Sequence, residues 1–278
     1  MSADVVTRSS EPVLAACGVT QTYRLNRARL FEKRPVLTAL DKVDFDVRPG
    51  EAVGLVGESG SGKSTLTRLL IGIEAPVSGV VTFEGEDVGR MTADRRHRFR
   101  RSVQMVLQDP RSSLDPRMRV GTALMEPLRS LRIEGDHRAR VRTVLGQVGL
   151  DEQALEKYPH QFSGGQLQRI AIARALMPEP RVLVADEPVS ALDVSIQAQV
   201  LNLLRDLVDE LGLSLILIAH DLSVVAYTTS RVSVMASGRI VETGRPADLF
   251  SRPGAEATRN LVDAVLTVRD GIAGTALA

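Results

Sequence analysis

The sequence predicts an α/β fold with a mostly parallel sheet, an antiparallel β subdomain and an inserted helical subdomain, and three stretches carry that prediction. The apolar run Ala52-Val53-Gly54-Leu55-Val56 leads through Gly57-Glu58-Ser59-Gly60-Ser61-Gly62-Lys63-Ser64-Thr65 into a periodic segment, Leu66, Leu69, Leu70 and Ile73. That order reads as strand, glycine loop and helix. Residues 181–187 form an apolar run ending in two carboxylates, Asp186 and Glu187, and residues 213–219 are nearly all apolar, as a strand buried on both faces is.

Bulk composition narrows the function. The 278 residues suffice for a full core, and 44% hydrophobic with 25% charged residues is ordinary for a globular protein. A net charge of +1 gives no global field toward nucleic acid, so no nucleic-acid partner is expected. Cys17 is the single cysteine, which excludes an internal disulfide and a Cys/His metal cluster and fits a reducing, cytoplasmic setting. Residues 1–12 read as a flexible start without an apolar signal core, and no apolar run reaches the length of a membrane span. Any connection to a membrane then runs through a partner.

Taken in order, residues 13–23 and 36–47 read as strands separated by a basic, irregular segment. Tyr23 closes the first of them, in a chain with three tyrosines and no tryptophan. An aromatic there can stack on a nucleotide base, although packing at a strand end is the commoner use. A turn at Asp46-Val47-Arg48-Pro49-Gly50 feeds the strand before the glycine loop. Residues 80–83 are a further short strand. The run Arg95-Arg96-His97-Arg98-Phe99-Arg100-Arg101 reads as the solvated face of a short helix, since a single aromatic in a neutral chain does not make a nucleic-acid surface.

Residues 102–107 are another strand, ending at Gln108-Asp109-Pro110. From residue 120 to 149 the period turns helical, with Leu124, Leu128, Val141, Val144 and Leu145 on the apolar side. Ser163-Gly164-Gly165-Gln166 opens a helix through Ile170, Ala173 and Leu176. After the acidic strand come Ser190-Ala191-Leu192-Asp193, an amphipathic helix over 195–211, the apolar strand, and His220-Asp221. Residues 231–242 read as a hairpin across Ser237-Gly238, and 252–278 as a helix with a small-residue end.

The chemistry concentrates at the glycine loop. Glycines let successive backbone N–H groups turn onto an anion, and the helix starting at Lys63 adds its positive end to the same spot. Lys63 can reach the β- and γ-phosphates of a nucleoside triphosphate, and the Ser64 hydroxyl is placed to ligate Mg²⁺. Side chains alternate along a strand, so Asp186 and Glu187 are expected to point to opposite faces, one serving the metal and the other a water. His220 falls at the carboxyl end of a strand, where parallel sheets place ligands. Ser163-Gly164-Gly165-Gln166 is a second flexible helix start able to hold an anion.

With these pieces in order, the chain resembles the nucleotide-binding subunit of an ABC transporter, a P-loop NTPase with a RecA-like core. Tyr23 matches the adenine-stacking aromatic, Gly57 to Ser64 the Walker A loop, and Gln108 the Q-loop glutamine. Ser163 to Gln166 match the signature, entered through Phe162 where leucine is commoner; Val182 to Glu187 match Walker B, Asp193 closes the D-loop, and His220 is the switch histidine. The resemblance implies ATP and Mg²⁺ as ligands. It makes Glu187 the general base, places Gln108 and Asp186 with the metal, and sets His220 against the γ-phosphate. It further implies a second ATPase subunit packed head to tail, so that the signature of one closes on the ATP of the other. Two transmembrane permease subunits, an extracytoplasmic solute-binding protein, and a peripheral place on the cytoplasmic face of the membrane follow from the same resemblance.

Gln108-Asp109-Pro110-Arg111-Ser112-Ser113-Leu114-Asp115-Pro116 and Tyr158-Pro159-His160-Gln161-Phe162 are similar to the dipeptide, oligopeptide and nickel importer branch. Asp115 stands where that branch more often has Asn, and Pro253-Gly254-Ala255-Glu256-Ala257-Thr258 replaces its usual His-Pro-Tyr-Thr stretch. The expected division is an ATPase domain over 13–250, with the helical subdomain over about 109–178, followed by a C-terminal helix and tail over 251–278.

Overall fold

A computed structural model describes residues 11–24 and 35–275, with side chains described up to residue 265. The flexible start and the basic segment after Tyr23 therefore lie almost wholly outside the described residues. The chain runs β1 (Leu14–Arg24), β2 (Val36–Val47), β3 (Ala52–Val56), α1 (Lys63–Leu70), β4 (Ser78–Phe83), β5 (Glu86–Asp87), α2 (Ala93–Ser102) and β6 (Val103–Val106). It continues with α3 (Val120–Ser130), α4 (His137–Gln147), α5 (Gly164–Leu176), β7 (Val182–Asp186), α6 (Val194–Leu211), β8 (Ser214–Ala219) and α7 (Leu222–Thr228). The hairpin β9 (Arg231–Ala236) and β10 (Arg239–Gly244) precedes α8 (Pro246–Ser251) and α9 (Glu256–Thr275).

Two sheets form. The larger runs β10-β9-β3-β8-β7-β6, parallel throughout except for the antiparallel β10 edge. The smaller runs β2-β1-β4-β5 and is antiparallel. β8 shows why its sequence is apolar from Leu215 onward. Ile216 and Ile218 face one buried cluster while Leu215 and Leu217 face another, so both sides of the strand lose water.

α1 lies between the sheets. Its Leu66, Leu69 and Leu70 join Val53, Leu55, Ile216 and Ile218 of the parallel sheet to Leu14, Val19 and Leu40 of the antiparallel one. Each of those three leucines is essentially unexposed, and burial of a leucine side chain contributes roughly 1.5–3 kcal/mol. The antiparallel sheet is thereby fixed against the helix that begins at Lys63.

On the other face, Val120, Leu124 and Leu128 of α3 pack with Val141, Val144 and Leu145 of α4 and with Leu167 and Ile170 of α5. The helical period read over 120–149 divides at Arg132 and Gly135, both at positive φ, and α4 restarts where Asp136 accepts hydrogen bonds from the N–H groups of Arg138 and Ala139 at 3.0 Å. The arginine-rich run is α2, in which only Phe99 is buried, edge-on to Phe83 at 5.4 Å. Among the described residues, no helix is long and apolar enough to cross a membrane.

This topology sends the loops after β3, β6, β7 and β8 to one edge of the sheet, because parallel strands share a carboxyl end. Open α/β sheets bind ligands at that edge.

Candidate functional site

A cleft of about 850 Å³ opens there, lined by Ser59, Gly60, Gly62, Lys63, Ser64 and Thr65 from the glycine loop and α1. Gln108 after β6, Asp186 and Glu187 at the end of β7, and His220 after β8 line the same space. Tyr23 of β1 reaches it from the antiparallel sheet.

The loop is shaped by close backbone approaches. A β-carbon at Gly57 would fall 2.2 Å from the Met235 carbonyl oxygen, and one at Gly62, where φ is 112°, 2.7 Å from that of Ala39. Only glycine fits at either place. The hairpin turn supports the loop from the side, with Ser237 and Gly238 both at positive φ and the Gly238 N–H donating to the Ser61 carbonyl at 2.9 Å.

The N-terminus of α1 has no side-chain cap and no acidic residue in its first turn, so its backbone donors remain available to an anion. Lys63 Nζ folds back onto the carbonyl oxygens of Gly57, at 2.6 Å, and Glu58, at 2.9 Å. Burial pulls the Lys63 ammonium below its ordinary range, opposed by the charges of Glu187 and Asp186. The buried Ser61 hydroxyl is without a hydrogen-bond partner. An uncapped helix start, a lysine held over the loop and an orphaned hydroxyl are the features a triphosphate chain would use.

At the acidic end, burial and then the neighbouring Glu187 carboxylate raise the Asp186 carboxyl above its ordinary range, with Lys63 and Arg68 pulling the other way. A divalent cation beside this pair would relieve the repulsion. Among the described residues, no group of three or more His, Cys, Asp and Glu side chains gathers as a metal cage. Mg²⁺ suits such a site, since it typically takes one or two carboxylates, phosphate oxygens and waters.

Strand alternation stops at Asp186, the last residue of β7. Glu187 lies beyond the last strand residue with φ 44°, and that left-handed turn brings its side chain into the same cleft as Asp186. The two carboxylates are neighbours, not opposites. Gln108 Nε2 donates to Glu187 Oε2 at 2.8 Å, and His220 Nδ1 stands 3.7 Å from that oxygen.

The other sequence-predicted residues sit elsewhere. Ser163 caps α5 by accepting from the Gln166 N–H at 3.3 Å, and the Gln166 side chain accepts in return from the Ser163 N–H at 3.0 Å. Ser163, Gly164 and Gln166 are exposed, while Gly165 is buried against Ile196. Asp193 starts α6, exposed, with its carbonyl taking the N–H groups of Ile196 and Gln197 at 2.9 Å. None of these five lines the cleft. Gly57, Glu58 and Ser61 shape the loop without lining the cleft itself, and border a second hollow against α9.

Sequence reasoning missed Thr38, Ala39, Ser237 and Gly238 as lining residues and Glu74, which holds Tyr23; Ser190, read as the start of the D-loop, brings its hydroxyl within 3.4 Å of Gln108 Nε2. The hairpin was legible from its Ser-Gly turn; its place beside the loop was not.

The family model described as "ABC transporter" matches residues 40–190. The chain belongs to the ABC transporter family. As a member of it, this ABC cassette binds ATP and hydrolyses it. Among curated relatives, a putative peptide import ATP-binding protein of Brucella ovis is 47% identical over 256 residues, covering 91% of this chain and 78% of that one. A dipeptide transport ATP-binding protein of Haemophilus influenzae is 45% identical, covering 92% and 79%. A glutathione import ATP-binding protein of Pectobacterium atrosepticum is 42% identical and covers 94% of this chain but 42% of its own. Among solved structures, an ATP-binding cassette described as a dimer bound to ADP and Pi has a TM-score of 0.73 at 28% identity, covering 84% and 98%. The Clostridium perfringens component of the ABC transporter complex cbiONQ has a TM-score of 0.75 at 27% identity, covering 96% and 99%.

Proposed function

We propose that this ABC cassette is the energy-coupling subunit of an importer for peptides or a related small solute. It would work on the cytoplasmic face of the membrane with two transmembrane permease subunits and an extracytoplasmic solute-binding protein. The observation that carries the reading is the convergence of Lys63, Gln108, Asp186, Glu187 and His220 on one cleft, in a chain 47% identical to a protein named for peptide import. We divide it into an ATPase domain over 13–250, with a helical subdomain over about 109–178, and a C-terminal helix and tail over 251–278.

In the cleft, Lys63 and the backbone N–H groups from Gly57 to Thr65 hold the phosphates, and Tyr23 faces the base. Ser64, Asp186 and Gln108 would hold Mg²⁺, which supplies charge neutralisation across the phosphate oxygens. Glu187 takes the proton from the attacking water, oriented by the Gln108 amide; His220 contacts the γ-phosphate. Ser163, Gly164, Gly165, Gln166 and Asp193, which do not line this cleft, serve a second cassette packed head to tail and close on the ATP it holds. Binding of the γ-phosphate joins the two surfaces and its loss releases them.

Affinity purification of the full chain from native membranes tests this reading. Recovery with two integral membrane proteins, and ATPase activity stimulated by peptide-loaded binding protein, is expected. Recovery with nucleic acid and no membrane protein would overturn it.

A further inference from the structure

We propose that Glu74 is a positioning residue for nucleotide binding: its carboxylate fixes the Tyr23 ring, and α1 thereby ties the base platform to the phosphate grip. The Tyr23 hydroxyl donates to Glu74 Oε2 at 2.6 Å, across 51 positions of sequence. Glu74 is itself held. Gln21 Nε2 donates to the same oxygen at 3.2 Å, Arg68 Nη1 lies 3.7 Å from the other, and the Gln21 side-chain oxygen takes the Val77 N–H at 3.1 Å. The Glu74 N–H in turn donates to the Arg68 carbonyl at 3.3 Å, anchoring the residue to the last turn of α1.

α1 begins at Lys63 and ends at Leu70, so one buried helix carries the phosphate-binding lysine at one end and the support of the aromatic at the other. A phenol has two torsions, and a charge-assisted hydrogen bond at its tip removes most of the remaining freedom. The inference rests on Tyr23 facing the base, as proposed above.

Titration calorimetry of the full chain with Mg-ATP and with Mg-tripolyphosphate tests it. Glu74→Leu and Tyr23→Phe are each expected to weaken ATP binding roughly three- to tenfold, the scale of one ordinary hydrogen bond. Tripolyphosphate, which has no base, should bind both variants within about twofold of the parent, a split that a general loosening of α1 would not give. The double variant should bind ATP no more weakly than Glu74→Leu alone, because both changes break one contact. Should Glu74→Leu fold poorly, Glu74→Ala, which also lacks an acceptor, completes the same cycle. Additive losses, or equal losses for both ligands, overturn the positioning role. A loss with Tyr23→Ala but none with the Glu74 variants also overturns it, while leaving Tyr23 against the base. Unchanged ATP affinity in Tyr23→Ala overturns the base-facing reading itself.

Discussion

The Gln108 amide and the Glu187 carboxylate meet at 2.8 Å, from the ends of two neighbouring parallel strands. The contact exists because Glu187 leaves β7 with φ 44°, a conformation that a non-glycine residue adopts at a cost. His220 approaches the same oxygen from the end of β8 at 3.7 Å. One carboxylate oxygen at the end of β7 is therefore addressed from the two flanking strand ends, and a water placed among them would meet an acceptor already oriented.

Glu187→Gln preserves shape and hydrogen bonding but removes the proton acceptor. Turnover is expected to fall by about 10²–10⁴ while Mg-ATP still binds and head-to-tail dimers accumulate. Single-turnover hydrolysis with gel filtration in ATP checks both parts. Near-normal hydrolysis would remove Glu187 from the role.

Asp186→Asn separates metal binding from stability. Burial and the Glu187 charge raise the Asp186 carboxyl, so its contribution to stability is present below the ordinary carboxylate range and is lost as pH rises through the raised value. Without ligand the Asn variant should therefore melt higher than the parent near neutral pH, by roughly 2–4 °C if about 1 kcal/mol is relieved, with the gap closing toward acid pH. Mg-ATP should stabilise the parent and fail to stabilise the variant to the same extent. A gap of equal size at acid and neutral pH would contradict the electrostatic cause.

Glu242 clamps the C-terminal helix. From β10 its carboxylate accepts from the N–H groups of Gly254, at 3.0 Å, and Ala255, at 2.9 Å, and from the Thr258 hydroxyl. Burial is the largest single influence and opposes the ion, yet the Thr258 and backbone donors and the Arg259 charge together hold the carboxyl below its usual range. A depressed carboxylate stabilises above its unfolded pKa and loses that contribution as pH falls. Glu242→Gln should raise amide exchange across 254–262 at about pH 7, and the difference from the parent should shrink toward about pH 4. A pH-independent difference would point to packing alone.

Local chemistry made much of this legible. Gly57 to Thr65 between an apolar run and a periodic one, and β8 with no polar break after Ser214, need no tertiary information to be read. Glu187 belongs to the site as read, but not on the face opposite Asp186, because strand alternation holds only while the residue stays in the strand. Glu74 was invisible because it acts between elements far apart in sequence, holding Tyr23 of the antiparallel sheet from beyond the end of α1; the Ser237-Gly238 turn was legible, but not that Gly238 braces the glycine loop. Two glycine-containing helix starts also diverge. α1 is left without a side-chain cap, whereas Ser163 and Gln166 satisfy each other at α5.

Gly165 illustrates why a glycine motif mixes packing with ligand contact. A β-carbon there would meet Ile196 Cγ2 at 2.4 Å, and that methyl sits on a β-branched side chain that cannot swing clear without changing its rotamer. At Gly164 the nearest neighbour would be Leu192 Cδ2 at 3.3 Å, the far end of a flexible chain. Gly165→Ala is therefore expected to cost about 1–3 kcal/mol by overpacking α5 against α6, and Gly164→Ala much less. Replacing Ile196 by Ala as well removes the offending methyl, so the double variant should recover part of the melting temperature lost by Gly165→Ala alone. Denaturant melts of the four chains separate the cases. If Gly165→Ala is as stable as Gly164→Ala, the contact with Ile196 does not explain the glycine, and its demand lies in the facing cassette instead.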